Sequence, residues 1–141
     1  MSVLGLGHDV VDVSAFAEQL AEPGSRMRGL FSVREVRQAG ERARRKNDDE
    51  STHLAAKWAG KEAVLKAWCD ALGDMPNPYT IENFGLVRMG PAVMRVPIVT
   101  PVSTGSEPAA ASSASVSLVF RWHVSLSHDG GIASAVAMLT V

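Results

Sequence analysis

STHLAAKWAGKEAVLKAWCDAL, residues 51–72, is the clearest element of the chain. Ala, Leu, Lys and Glu dominate it, all strong helix formers, and Gly73, Pro76 and Pro78 follow as stop signals. Within it Glu62 and Lys66 stand four residues apart, so carboxylate and amine share one face a turn from each other. Trp58 and Leu65 lie close to the same stripe, which makes that face partly buried. Taken alone, such a pair has the spacing of an ordinary stabilising ion pair on a helix surface.

Upstream, residues 41–50 run ERARRKNDDE, basic first and then acidic, and the acidic end suits the positive N-terminus of the long helix. Ser32-Val33-Arg34-Glu35 has the form of a capping box, so a second helix is expected to start at Ser32. Residues 2–13 read as a strand with Leu4, Leu6, His8 and Val10 on one face and Val3, Gly5, Gly7 and Asp9 on the other. The two glycines strip side chains from beside Asp9, which points to close approach by another backbone or a ligand. Ser14 is the expected cap of a short helix over 15–21, stopped by Pro23-Gly24.

Downstream, β-like runs over 80–88 and 92–99 join at Met89-Gly90-Pro91 like a hairpin. Residues 101–117 are Ser, Ala, Thr, Pro and Gly with almost no large apolar side chain, expected to form a flexible loop. Two further β-rich runs, 118–127 and 132–141, flank His128-Asp129-Gly130-Gly131, a strong turn signal. Strand, helices and then antiparallel strands predict an α+β fold, a small single domain over 1–141 with an antiparallel sheet packed against the long central helix.

The 141 residues are 46% hydrophobic and 21% charged, with a formal net charge of −1. That length accommodates one domain with a core of its own. Near-neutral charge gives no footprint for nucleic acid, and no apolar run approaches the ~18 residues that span a bilayer. A single cysteine, Cys69, and an N-terminus without a basic leader predict a cytoplasmic protein with no disulfide framework.

Asp9 and Glu62 together supply two hard oxygen ligands, the donor set with which magnesium is often held while substrate phosphates complete its shell. Ser127, His128 and Asp129 are consecutive on a strand and alternate faces, so they do not form a hydrolytic triad, and no Gly-x-Ser-x-Gly elbow is present. The lysines lie one before and four after Glu62, which breaks an Asp…Glu-x-Lys nuclease pattern. One cysteine and histidines at 8, 53, 123 and 128, without ligand spacing, argue against zinc. Arg42, Arg44, Arg45 and Lys46 form a basic run that suits phosphate or serves as a solvated helix end.

In combination these segments resemble the holo-acyl-carrier-protein synthase branch of the 4′-phosphopantetheinyl transferases. Gly7-His8-Asp9-Val10-Val11 is similar to the family's N-terminal Gly-x-Asp signature, and Phe31-Ser32-Val33-Arg34-Glu35 to its Phe-[Ser/Thr]-x-x-Glu helix start. WAGKEAVLKA, residues 58–67, is similar to its core motif, and HVSLSH, residues 123–128, to its terminal strand. The resemblance covers the whole chain except 101–117. It implies magnesium-dependent transfer of 4′-phosphopantetheine from coenzyme A to a serine of an acyl carrier protein, with adenosine 3′,5′-bisphosphate released. It carries Asp9 and Glu62 over as magnesium ligands, Glu62 as the group that helps deprotonate the acceptor serine, and Lys66 as the partner of the leaving phosphate. Lys57, His128, Arg45 and Lys46 fall near the nucleotide end of coenzyme A. It also implies a homotrimer with active sites shared between subunits.

Three positions depart from the family pattern. His8 replaces an aliphatic residue, Asp129 replaces a hydroxyl residue, and Ala15 stands where many members carry an arginine that docks an acidic carrier. The missing arginine points to a carrier domain within a type I fatty acid synthase as the acceptor. The intact trio Asp9, Glu62 and Lys66 favours an enzyme over a module that only holds coenzyme A.

Overall fold

The computed structural model describes residues 1–90, 93–96 and 120–141. Strand β1 (Val3–Asp12) leads into helix α1 (Val13–Ala21), followed by α2 (Val33–Lys46) and the 23-residue α3 (Glu50–Leu72). A short hairpin, β2 (Val87–Gly90) and β3 (Val93–Arg95), precedes the closing strands β4 (Arg121–Asp129) and β5 (Ile132–Thr140). The main sheet has the order β1-β5-β4 and is antiparallel throughout, with α3 lying against one face. The expected α+β architecture with a long central helix is therefore the one found.

Small residues bring α3 onto the sheet. Gly5 and Gly7 are buried on the inner face of β1, where an added Cβ would run into the carbonyl oxygens of Ala67 and Ala63. The approaching backbone anticipated from the glycines is thus that of α3. Beside them β5 presents Ala133, Ala135 and Ala137 inward, all buried, so the helix backbone sits where larger side chains would hold it off. Gly60 completes the fit from the helix side, since a Cβ there would meet the side-chain ends of Leu86 and Leu126.

Two apolar clusters flank α3. Ala59, Ala63, Val64 and Ala67 pack with Phe84, Leu86, Ala135 and Ala137, while Leu54, Ala55 and Ala56 pack with Phe16, Phe31, Ala39 and Ala133. The second cluster closes with Phe16, Phe31 and Trp58 rings whose centroids lie 5.9–6.5 Å apart in tilted and edge-on pairs.

The helix starts are mostly those the sequence predicts, with one displacement. Ser32 and Glu35 do close a capping box, Glu35 N to Ser32 Oγ and Ser32 N to Glu35 Oε2. At α1 the cap is Asp12 and not Ser14, because Asp12 ends β1 in extended conformation with its Oδ1 3.0 Å from Ala15 N. The β-like run over 80–88 is also only partly strand. Ile81–Asn83 coil into a 3-10 turn, since Asn83 Oδ1 accepts from Thr80 N and locks the segment before β2 begins. Gly130 and Gly131 form the two-residue β4–β5 connection, both at positive φ (56° and 78°), as a hairpin twisted to match its strands requires. The loop expected over 101–117 lies outside the described residues.

Candidate active site

The alternation of β1 continues past the glycines, so Asp9 follows Gly7 on the face covered by α3. One helical turn of α3 meets each pair of strand residues, Ala67 at Gly5 and Ala63 at Gly7, and Lys66 from the turn between them reaches Asp9. Lys66 Nζ donates to Asp9 Oδ1 at 2.9 Å and to His8 O at 3.0 Å. The lysine therefore reaches across to the strand instead of forming the intrahelical pair that its spacing from Glu62 allows. Burial, and then the Asp9 carboxylate, push the Glu62 carboxyl above its ordinary range, with Lys66 acting in the opposite sense. Two carboxylates and one amine thus converge from β1 and α3, with Lys66 half-exposed toward solvent.

The remaining sequence-predicted residues divide into two groups. His128, near the end of β4, joins the nearby C-terminal end of α2. Burial depresses its imidazole first, then the neighbouring His53, Lys46 and Arg42 charges, against Asp48. Arg45 and Lys46 are exposed there, and Arg45 lines an open cleft with Glu41 and Arg44. His53 and Glu62 stand nine positions apart on α3, about 13.5 Å along the helix axis, so the basic group and the carboxylate group occupy different stations on one helix. Lys57 belongs to neither surface group: it is buried, donating to Leu86 O at 2.9 Å and Gln38 Oε1 at 3.3 Å, and ties α3 to α2 and to the segment entering β2.

One residue before Glu62, Lys61 belongs to a buried ion pair that no local pattern announces. Lys61 (1% exposed) donates to both carboxylate oxygens of Glu35 (0%) at 3.1 Å and to Phe84 O at 2.6 Å. Glu35 also accepts from Leu86 N at 2.8 Å and from Ser32 N, so both charges are fully engaged. Desolvation nonetheless lowers the Lys61 amine, with Glu35 opposing it. The capping box marked Glu35 in sequence, but its contact with Lys61 spans 26 residues and has no local signature.

The 4′-phosphopantetheinyl transferase superfamily model matches residues 5–118, and a holo-[acyl-carrier-protein] synthase of Bifidobacterium animalis subsp. lactis is 52% identical over 145 residues, covering 97% of each chain. The chain belongs to this superfamily. Among solved structures, the Chronobacterium ammoniagenes ACPS-CoA complex superposes with a TM-score of 0.70 at 28% identity, over 99% of this chain and 97% of that one. The acyl carrier protein synthase of Mycobacterium tuberculosis gives 0.66 at 30% identity, over 99% and 98%. The α+β fold of the transferase is therefore shared along nearly its whole length. Among the described residues no helix is long and apolar enough to cross a membrane.

Proposed function

We propose that the chain transfers 4′-phosphopantetheine from coenzyme A to a serine of an acyl carrier protein or carrier domain, activating it for fatty acid synthesis and releasing adenosine 3′,5′-bisphosphate. The convergence of Asp9, Glu62 and Lys66 from two elements carries the reading, in a chain half identical to a holo-[acyl-carrier-protein] synthase.

Magnesium is the implied metal, and Asp9 and Glu62 fit it. They are two carboxylates close enough for one to raise the other's pKa, on a site open enough to admit phosphate oxygens and water. Among the described residues no third His, Cys, Asp or Glu joins them, which suits an ion whose shell the substrate completes. When bound, the ion supplies positive charge against the pyrophosphate of coenzyme A.

The chain's own groups do the rest. Glu62, held above its ordinary range, takes the proton from the acceptor serine hydroxyl. The serine oxygen bonds to the phosphorus that carries pantetheine, and the bond from that phosphorus to the bridging oxygen breaks. Lys66 neutralises or protonates the departing phosphate of adenosine 3′,5′-bisphosphate, its amine already within reach of the carboxylate pair. Arg45, Lys46 and His128 hold the nucleotide end, and Lys57 follows His53 by one turn of α3 toward the same end of the helix.

The outer face of the sheet supports assembly into a homotrimer. Leu6, Val10 and Val136 are 57%, 54% and 43% exposed there, an apolar surface that a second copy would cover. Ala15, exposed in the first turn of α1, offers no cation to an acidic free carrier, which supports a type I synthase carrier domain as acceptor. The single cysteine, Cys69, is free, in keeping with a cytoplasmic setting.

Chromatographic detection of adenosine 3′,5′-bisphosphate tests the reaction. Release is expected only with coenzyme A, magnesium and an acceptor that retains its serine. Equal release with a Ser→Ala acceptor would overturn transfer in favour of hydrolysis.

A further inference from the structure

A second constellation lies at the junction of α2 and α3, away from the carboxylates. Asn47 ends α2 in left-handed conformation (φ 54°, ψ 49°), and Asp48 N returns to Ala43 O at 3.1 Å. This turn presents the Asp48 carboxylate to the first turn of α3, where His53 Nε2 lies 2.6 Å from Asp48 Oδ1. His53 is only 4% exposed, so a buried imidazole has its polar edge met by one partly exposed carboxylate. At that distance Nε2 carries the proton and donates it, which fixes the tautomer of the ring. His53 then stands edge-to-face with His128, ring centroids 5.4 Å apart and planes at 85°. The charges of Lys46 and Arg42 bear on His128 from α2.

Packing alone does not account for this arrangement. A buried position on α3 between Thr52 and Leu54 would accept an apolar ring without the cost of desolvating an imidazole. The carboxylate, the first imidazole and the second imidazole form a series that ends on His128, which Lys46 and Arg42 of α2 face.

We propose that Asp48 and His53 are positioning residues for His128, fixing its ring where the adenosine 3′,5′-bisphosphate end of coenzyme A binds. The inference rests on the functional reading above, in which His128 meets the nucleotide. Asp48 holds His53 in one tautomer and one orientation, and the His53 ring sets the plane of His128. Neither residue takes part in phosphoryl transfer, so their loss acts on binding of the nucleotide and leaves the chemical step intact.

Calorimetry with adenosine 3′,5′-bisphosphate, steady-state kinetics and ring ¹⁵N spectra of His128 test this on the full chain. Asp48→Ala and His53→Phe are each expected to weaken nucleotide binding about fivefold to tenfold, the equivalent of one lost hydrogen bond. KM for coenzyme A should rise in parallel while kcat stays within about twofold. The His128 ring signals should shift in both variants, whereas Asp48→Asn, whose amide oxygen still accepts from His53, and His53→Gln, which restores a donor toward Asp48, should keep most of the affinity. Asp48→Ala removes a partly exposed side chain, so it decides the matter even if His53→Phe fails to fold. Unchanged binding and ring signals in Asp48→Ala, with binding weakened in His128→Ala, would overturn the positioning role alone. Unchanged binding in His128→Ala would overturn the nucleotide contact itself, and the positioning role with it.

Discussion

Lys66 rests on Asp9 and leaves Glu62 as the less neutralised carboxylate, which gives the three residues separable roles. Glu62→Gln keeps the shape of the side chain, so circular dichroism should be unchanged while magnesium-dependent turnover is lost. Near-normal turnover would remove Glu62 from the metal and base roles. Lys66→Ala should lower kcat by about 10²–10³-fold, typical of a lost charge-stabilising donor, with a smaller change in magnesium affinity by calorimetry. The reverse ordering would make the lysine structural. His128 contributes a pH dependence of definite sign. Its folded pKa lies below its ordinary 6.5, so protonation opposes the fold. The stability it contributes is present above pH 6.5 and is lost as pH falls through the folded pKa. Urea midpoints of the wild type should therefore fall more steeply on acidification than those of His128→Asn. The placement of Asp9 on a strand with glycines, and of Glu62 and Lys66 on one helix face, was legible in sequence, but the Lys66–Asp9 contact that joins them spans 57 residues and has no local signature. Asp48 and His53 were not legible, since their meaning depends on an Asn47 turn and on a strand end more than 70 residues away.

Contacts between elements explain which local signals prevailed. The glycines of β1 announced a close approach, and the fold supplies its partner in the α3 backbone. Gly7→Ala would drive a Cβ into the Ala63 carbonyl and should separate β1 from α3, costing more than the 1–3 kcal/mol typical of overpacking. Gly60→Ala meets only the ends of Leu86 and Leu126 and should fall within that range, both measured by urea denaturation. Lys61→Met leaves Glu35 buried beside two backbone donors and without its cation, a change expected to cost about 3–5 kcal/mol. Adding Glu35→Gln should restore part of that loss, and additive losses would show that the pair is not coupled. Boundaries were harder to read than elements. Asp12 displaces Ser14 as the α1 cap because the chain leaves β1 one residue after Val11, and only the sheet register decides where it leaves. Thr80 and Ile81 have strand composition, yet the Thr80–Asn83 hydrogen bond wins over propensity.

At the scale of the whole molecule, a chain of 141 residues covers one side of its sheet with α3 and leaves Leu6, Val10 and Val136 exposed on the other. The alternating pattern of β1 displayed this face in sequence, but its extent needed the neighbouring strand β5. Light scattering should give three times the protomer mass for the wild type. Val10→Asp, placing charge on that face, should give the protomer mass with the fold retained. A wild-type monomer would contradict shared sites. Group transfer by Asp9, Glu62 and Lys66 is read out by intact-protein mass spectrometry of a carrier domain incubated with coenzyme A, magnesium and the enzyme. The carrier should gain the mass of one phosphopantetheine with the wild type and none with Glu62→Gln. No gain with the wild type across several carrier proteins and domains, or an equal gain with Glu62→Gln, would contradict transfer by these residues.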